Sequence, residues 1–409
     1  MKSILGKLGP GLLYAGAAVG VSHLVQSTRA GANYGLLMIL VVIIANILKY
    51  PFFKAGPLYA ASTGKSLLEG FHNLGNWAMA LFYLVTFTTM FAVMAAVTLI
   101  TASIVSSIFS IEAPLWLISG IILTISSIIL VIGKYKLLGN LMKTVILILT
   151  VTTLITLLAA CINYQPTTTP LDYFSFDNTT DIFFLIALVG WMPAPLDISL
   201  WHSEWTLAEV EGQNKGLNPS KALFDFKIGY WGTTFLAVIF VALGAIILRG
   251  NEQGLSSNGV QFSNQIIKMY TSTLGKWSFL FIALAAFTTM FSTTLTVLDA
   301  YPRILNKAFS LQLKKNNTKD IFYKKYWFWL LITVIGAIFI LVFQLKNMKQ
   351  LIDFATTISF LTAPILASLI YFLSTRNKVK IFTRADKLLA FLGIIFLFSF
   401  SGYYLWVKL

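Results

Sequence analysis

Gly190-Trp191-Met192-Pro193-Ala194-Pro195 interrupts an apolar run over residues 181–203. Proline lacks an amide proton and clashes with the preceding turn, so two prolines this close cannot both sit inside an unbroken helix. A broken helix within a membrane-length apolar run exposes carbonyls and helix ends where lipid offers no hydrogen bonds, so it must be buried in protein or line a cavity. Such breaks mark ion and substrate sites when they come in pairs. A second one lies near the start of the chain, where Gly16, Gly20 and the polar Ser22-His23 fall inside the apolar run 9–29. Close packing through the glycines and a proline kink is the plainer reading of each. Their joint occurrence favours a site.

Working outward, the chain has 409 residues, 57% of them hydrophobic and 11% charged, against roughly 25% charged in a soluble domain. A helix needs about 20 apolar residues to cross roughly 30 Å of hydrocarbon. Eleven runs qualify, at about 9–29, 34–55, 77–108, 113–133, 141–162, 181–203, 227–248, 277–300, 324–344, 351–374 and 388–407, here spans 1 to 11. They predict an all-α membrane protein with a single transmembrane domain over 1–409, held in a lipid bilayer, with the bacterial inner membrane as expected location. The first run continues from Lys7 to Arg29 without a small-residue cleavage pattern, so it is read as a span and not a signal peptide. Cys161, the one cysteine, lies within span 5 and is read as a small packing residue. The stretch 257–270 suggests a short surface helix, and Asn178-Thr179-Thr180 is a formal glycosylation sequon of little weight.

The net charge of +15 would suit nucleic acid if it formed one patch, but the basic residues follow topology. With a cytoplasmic N-terminus and an outer C-terminus, the cytoplasmic side receives all 30 Lys and Arg except Arg29, Arg249, Lys268, Lys276, Lys346, Lys349 and Lys408. Lys49 and Lys54, near the end of span 2, count among the cytoplasmic ones. Loop 164–181 carries Asp172, Asp177 and Asp181 with no base. No nucleic-acid partner is expected; oligomeric state is not encoded in this pattern.

Phe87-Thr88-Thr89-Met90-Phe91 in span 3 recurs as Phe287-Thr288-Thr289-Met290-Phe291 in span 8. These correspond if spans 1–5 (about 9–162) repeat as spans 6–10 (about 181–374), leaving span 11 as an addition. An odd number of helices per repeat makes the halves inverted, with a substrate site between them. Both breaks then fall in the first helix of a half. Among ionisable residues at membrane depth, His23 and Asp197 are the functional candidates, whereas Asp299, Asp353 and Glu204 are as readily interfacial. His72 and His202 are read as interfacial, and no nucleophile–base pair or metal triad suggests an enzyme.

Gly9-Pro10-Gly11-Leu12-Leu13, followed after the break by Arg29-Ala30-Gly31-Ala32-Asn33-Tyr34-Gly35, resembles the first helix of the Nramp family of divalent-metal transporters. Ala61-Ser62-Thr63-Gly64-Lys65-Ser66-Leu67 after span 2 and Met192-Pro193 in span 6 also match, and the eleven-span layout agrees over essentially the whole chain. The resemblance implies a LeuT-like fold, a 5+5 inverted repeat with an eleventh transmembrane helix. In that fold the unwound parts of helices 1 and 6 hold a transition metal, usually with proton coupling. The family's Asp-Pro-Gly-Asn stands here as Gly20-Val21-Ser22-His23, so the acid is missing and an imidazole replaces the asparagine. Its Met-Pro-His reads Met192-Pro193-Ala194, which keeps the thioether and loses the histidine; the backbone carbonyl ligand falls at Val189. The implied metal site is therefore Gly20, His23, Val189 and Met192, with Asp197 as a replacement charge. Trp201-His202-Ser203 matches the family's later Leu-His-Ser only with about three residues inserted, so both alignments across 194–203 stay open.

Thioether and imidazole suit soft or borderline metals, while a carboxylate offsets the desolvation of a dication. Residues 77–108 contain no acid and 327–344 no base, so the family's usual proton path is not expected. The leading expectation is an Nramp-related secondary transporter of a metal cation, with no resident cofactor and the metal as cargo. The alternative is a transporter of the same fold for an amino acid, another small organic molecule or a different ion. A receptor or structural protein that lost transport is the third.

Overall fold

The computed structural model describes residues 9–132, 135–162, 173–213, 218–249, 255–312, 319–343, 347–376 and 379–408. Among these there are helices and connecting turns but no strand. Lys2, Lys7, Lys134, Lys215, Lys314, Lys315, Lys346, Lys378 and Asp172, used above for orientation, lie outside the described residues.

Every expected span contains helix. Span 1 is Pro10–Ala18, a wide turn Ser22–Ser27 and Thr28–Tyr34. Span 2 runs from Met38 to Thr63, with Pro51 and Pro57 inside it. Membrane helices tolerate prolines because neighbouring groups satisfy the freed carbonyls, and the expected end at 55 was therefore too early. A short helix, Leu67–Leu74, follows; Ser66 and Glu69 close its first turn as a reciprocal capping box. Spans 3, 4 and 5 are Asn76–Phe109, Leu115–Val131 and Tyr135–Ile162. Span 6 is two helices, Thr179–Gly190 and Ile198–Gln213. Span 7, Pro219–Leu243, ends in a wide turn Gly244–Leu248. The surface helix is Gly259–Leu274, started by the Asn258 side chain accepting from Val260 and Gln261 amides. Spans 8 to 11 are Phe279–Gln312, Lys319–Phe343, Met348–Arg376 and Arg384–Lys408.

Seven helices among the described residues are individually long and apolar enough to cross a membrane, one of them joining Ser22 to Thr63 across spans 1 and 2. Spans 4, 5 and the first half of 6 are shorter apolar helices. Ile121, Ile125, Ile128, Leu331, Ile335 and Phe339 stand exposed on spans 4 and 9. An apolar surface this continuous is a lipid-facing one.

Spans 1, 2, 6, 7, 3, 8 and 10 form the interior: the second half of span 6 lies on span 2, span 7 on spans 1 and 2, and span 10 on span 3 and the first half of span 6. The two pentapeptides sit alike in spans 3 and 8. Thr88 and Thr288 donate to carbonyls one turn back at 2.7 and 2.6 Å, as do Thr89 and Thr289 at 3.0 and 2.7 Å, and Met90 and Met290 are fully buried.

Three expectations are corrected. Lys49 and Lys54 are not on a cytoplasmic surface: with span 2 extended to Thr63 both are buried, Lys49 near mid-helix and Lys54 paired with Asp386 of span 11 at 2.6 Å. His202 is buried and not interfacial, because the second half of span 6 continues to Gln213; it stacks on Tyr14 with ring centroids 5.6 Å apart. Cys161 is exposed on span 5 and not a buried packing residue.

Candidate functional site

Span 6 is unwound from Trp191 to Asp197, where the expected break lies, and the whole stretch is buried. Its first half is seated tightly: a Cβ on Gly190 would come within 2.3 Å of the Thr356 carbonyl of span 10. The Trp191 indole donates to Ser359 Oγ of the same span at 2.8 Å. With the helix ended at Gly190, the last carbonyls lose their usual donors. Met192 N–H turns back to the Val189 carbonyl at 3.2 Å. The remaining capacity is taken by Lys49: its ammonium donates to Val189 O at 2.5 Å and to Gly190 O at 3.1 Å.

Lys49 is 0% exposed. Four side-chain ion pairs are found among the described residues, Arg29–Asp353, Lys54–Asp386, Arg303–Asp299 and Lys307–Glu69, and none includes it. Its partners lie at the carbonyl end of helix Thr179–Gly190, where the peptide dipoles sum to roughly half a negative charge. The structure thus places the Lys49 side-chain nitrogen on two main-chain carbonyls at the break of span 6.

The break in span 1 falls at Val19-Gly20 and is served by neutral donors. Gly20 N–H bonds to Ala18 O at 3.0 Å in place of Gly16 O, which instead accepts from Thr293 Oγ1 of span 8 at 3.1 Å. Ser22 Oγ donates to Ala18 O at 2.7 Å. Beyond Gly20 the chain widens over Ser22–Ser27, a local irregularity common at functional sites.

Of the five residues implied at a metal site, Gly20 faces Thr293. His23 is fully buried but turned to span 7: Nε2 lies 2.9 Å from the Thr233 carbonyl and Nδ1 2.7 Å from Ser22 Oγ. Nε2 is taken up by the Thr233 carbonyl, so the ring faces span 7 in this arrangement. Val189 offers its carbonyl, already on Lys49, and Met192 is fully buried next to it behind a cis Met192-Pro193 bond. Asp197 is 2% exposed, its Oδ1 has no hydrogen-bond partner, and Tyr301 of span 8 is within electrostatic reach. No group of three or more His, Cys, Asp or Glu able to hold a metal occurs among the described residues.

Sequence reasoning missed Lys49. A lysine in an apolar run was the available signal, but it was counted with the cytoplasmic charges near the end of span 2.

Charged side chains meet both ends of span 1. Arg29 grips both oxygens of Asp353 at 2.7 and 3.2 Å and also donates to Gln26 Oε1 at 3.0 Å. At the other end of span 1, Gly9 and Gly11 amides donate to the Asp225 carboxylate of span 7 at 3.2 and 2.7 Å, an acid at a helix N-terminus. Asp299, held by Arg303 and by the Tyr326 hydroxyl, stays on the flank.

Comparison with known proteins places this geometry. Residues 11–407 match the family described as natural resistance-associated macrophage protein-like, Nramp. An uncharacterized protein of Pasteurella multocida is 34% identical over 401 residues, covering 96% of this chain and 90% of that one. A point mutant of the manganese transporter of Eremococcus coleocola superposes with a TM-score of 0.68 at 15% identity, over 96% of this chain and 84% of that one. MhsT in complex with L-phenylalanine superposes with a TM-score of 0.58 at 15% identity, over 96% and 98%. Likeness at this identity establishes the fold, which is the LeuT-like one.

Proposed function

The chain belongs to the Nramp family, and from that premise we propose that it is a secondary transporter that moves a metal cation across the membrane between the breaks of spans 1 and 6. The observation that carries this is the pair of carbonyls at Val189 and Gly190, which hold a cation at membrane depth without help from an acid. Unwound carbonyls and half-helix C-termini are the groups with which transporters coordinate ions. Met192 adds a soft donor beside them and Asp197 a carboxylate across the break. The manganese carried by the Eremococcus coleocola neighbour supports a transition metal as the class. We place the N-terminus in the cytoplasm and the Arg29–Asp353 closure on the outer side. The acid-free span 3 and base-free residues 327–344 support transport without the family's usual proton path.

Calorimetry on the purified protein with manganese, iron(II), zinc and magnesium chlorides tests this. At least one metal should bind, and Met192→Ala should weaken it by about tenfold or more, or ~1.4 kcal/mol. Absence of binding by all four sinks the proposal. The Lys49 ammonium favours one other reading, a small organic substrate whose carboxylate meets it, as an amino acid would; uptake of labelled amino acids into proteoliposomes tests that.

A further inference from the structure

A fully buried lysine with no carboxylate partner is costly unless something else stabilises the charge. Here it lies where the first half of span 6 ends inside the protein and its last carbonyls lose their helical donors. Val189 O, at 2.5 Å, and Gly190 O, at 3.1 Å, are both main-chain atoms of the unwinding turn. The ammonium is of the size and charge of a small monovalent cation, and the oxygens it touches are hard neutral donors of the kind that bind metal ions. Lys49 reaches them from span 2 on a flexible four-carbon stem, so its head can leave while its backbone stays in the helix.

We infer that Lys49 is a tethered resident cation of the span 6 site, and that the transported ion enters only by displacing its ammonium from the Val189 and Gly190 carbonyls. This rests on the metal-transport reading for the identity of the incoming ion, but the tenancy of Lys49 does not. An ammonium and a metal ion cannot both sit on Val189 O, so the lysine weakens metal binding by competition and by repulsion between like charges. It also keeps the carbonyls satisfied when no ion is bound. The arrangement replaces a fixed acid on span 1, where Gly20 stands, by a movable base on span 2. A site of this kind binds its ion weakly, and sets the threshold with one side chain.

The test uses the full chain purified in detergent, as wild type, Lys49→Met and Lys49→Ala. Manganese binding is measured by calorimetry, and thermal unfolding is measured with and without methylammonium chloride, with sodium chloride as the ionic-strength control. Lys49→Met, which keeps the stem, should bind manganese about tenfold or more tighter than wild type. Methylammonium, the free counterpart of the lost head group, should raise the melting temperature of Lys49→Ala in a concentration-dependent way and leave wild type unchanged. If wild type and Lys49→Met bind manganese equally, or Lys49→Met binds it more weakly, Lys49 is a structural strap or a ligand support and the inference is overturned while metal transport stands. If methylammonium stabilises Lys49→Ala while no metal binds any of the three proteins, the tenancy holds and the metal reading falls. If methylammonium has no effect and no metal binds, both fall.

Discussion

At the break in span 1 the freed carbonyls of Gly16 and Ala18 meet neutral hydroxyls, from Thr293 and Ser22, whereas at the break in span 6 those of Val189 and Gly190 meet an ammonium. Both arrangements satisfy buried backbone groups that lipid cannot. They differ in what can exchange. Hydroxyls one turn away, or on an adjoining helix, are fixed donors, so the span 1 break is closed on itself. A lysine head on a long stem is a removable donor, so the span 6 break is closed only provisionally. On the proposed reading, the exchangeable cation position belongs to span 6.

The two breaks should respond unequally to the loss of their glycines, and this is the largest effect expected. A Cβ at Gly190 meets main chain, the Thr356 carbonyl at 2.3 Å, which cannot move without shifting span 10. Gly190→Val should cost about 3 kcal/mol or more, seen as loss of a monodisperse, cooperatively unfolding species. A Cβ at Gly20 meets Thr293 Oγ1 at 2.8 Å, a side chain that can rotate, so Gly20→Ala should cost under about 1.5 kcal/mol. Equal losses in thermal unfolding would erase the distinction between a fixed and a yielding wall.

His23 sharpens the comparison further. As the counterpart of a family ligand it belongs at the metal, but its Nε2 is spent on the Thr233 carbonyl of span 7 and its Nδ1 lies against Ser22 Oγ. His23→Ala should destabilise by about 2 kcal/mol through the lost buried hydrogen bonds and the cavity. Manganese affinity should stay within about threefold, under ~0.7 kcal/mol. A tenfold fall, in a variant that still unfolds cooperatively, would return His23 to the ion and make the site one of both breaks.

Much of this was legible in the sequence, because a bilayer leaves a coarse signature. Apolar runs of span length located the membrane helices, and Met192-Pro193-Ala194-Pro195 located where span 6 must break. The partners were not legible. The expected end of span 2 at 55 was too early, since the helix runs on to Thr63 through Pro51 and Pro57, and Lys49, counted with the cytoplasmic charges, is buried near mid-helix. His202 was misplaced by the same kind of error at the end of span 6. Side-chain direction was beyond reach as well: the one-letter code puts His23 three residues after Gly20, but only packing decides that its ring faces span 7 and not span 6.

The smallest effect is expected at Thr293, and it bears on why span 1 needs no charge. Its hydroxyl has one proton to give and three carbonyls in range, Gly16 at 3.1 Å, Thr289 at 3.1 Å and Val19 at 3.4 Å. Thr289 is within the uninterrupted helix of span 8 and already has a backbone donor, so the proton matters most to Gly16, whose own donor Gly20 has turned to Ala18. Thr293→Val keeps the shape and removes that proton, which should cost about 1 kcal/mol. Thr293→Ser should restore most of it. Neither change should move manganese affinity, since a neutral donor on a closed break neither repels nor competes with an ion. If Thr293→Val binds manganese several-fold more tightly, the Gly16 carbonyl has joined the cation position. The break in span 1 would then be exchangeable too, held shut by a hydroxyl as span 6 is by Lys49.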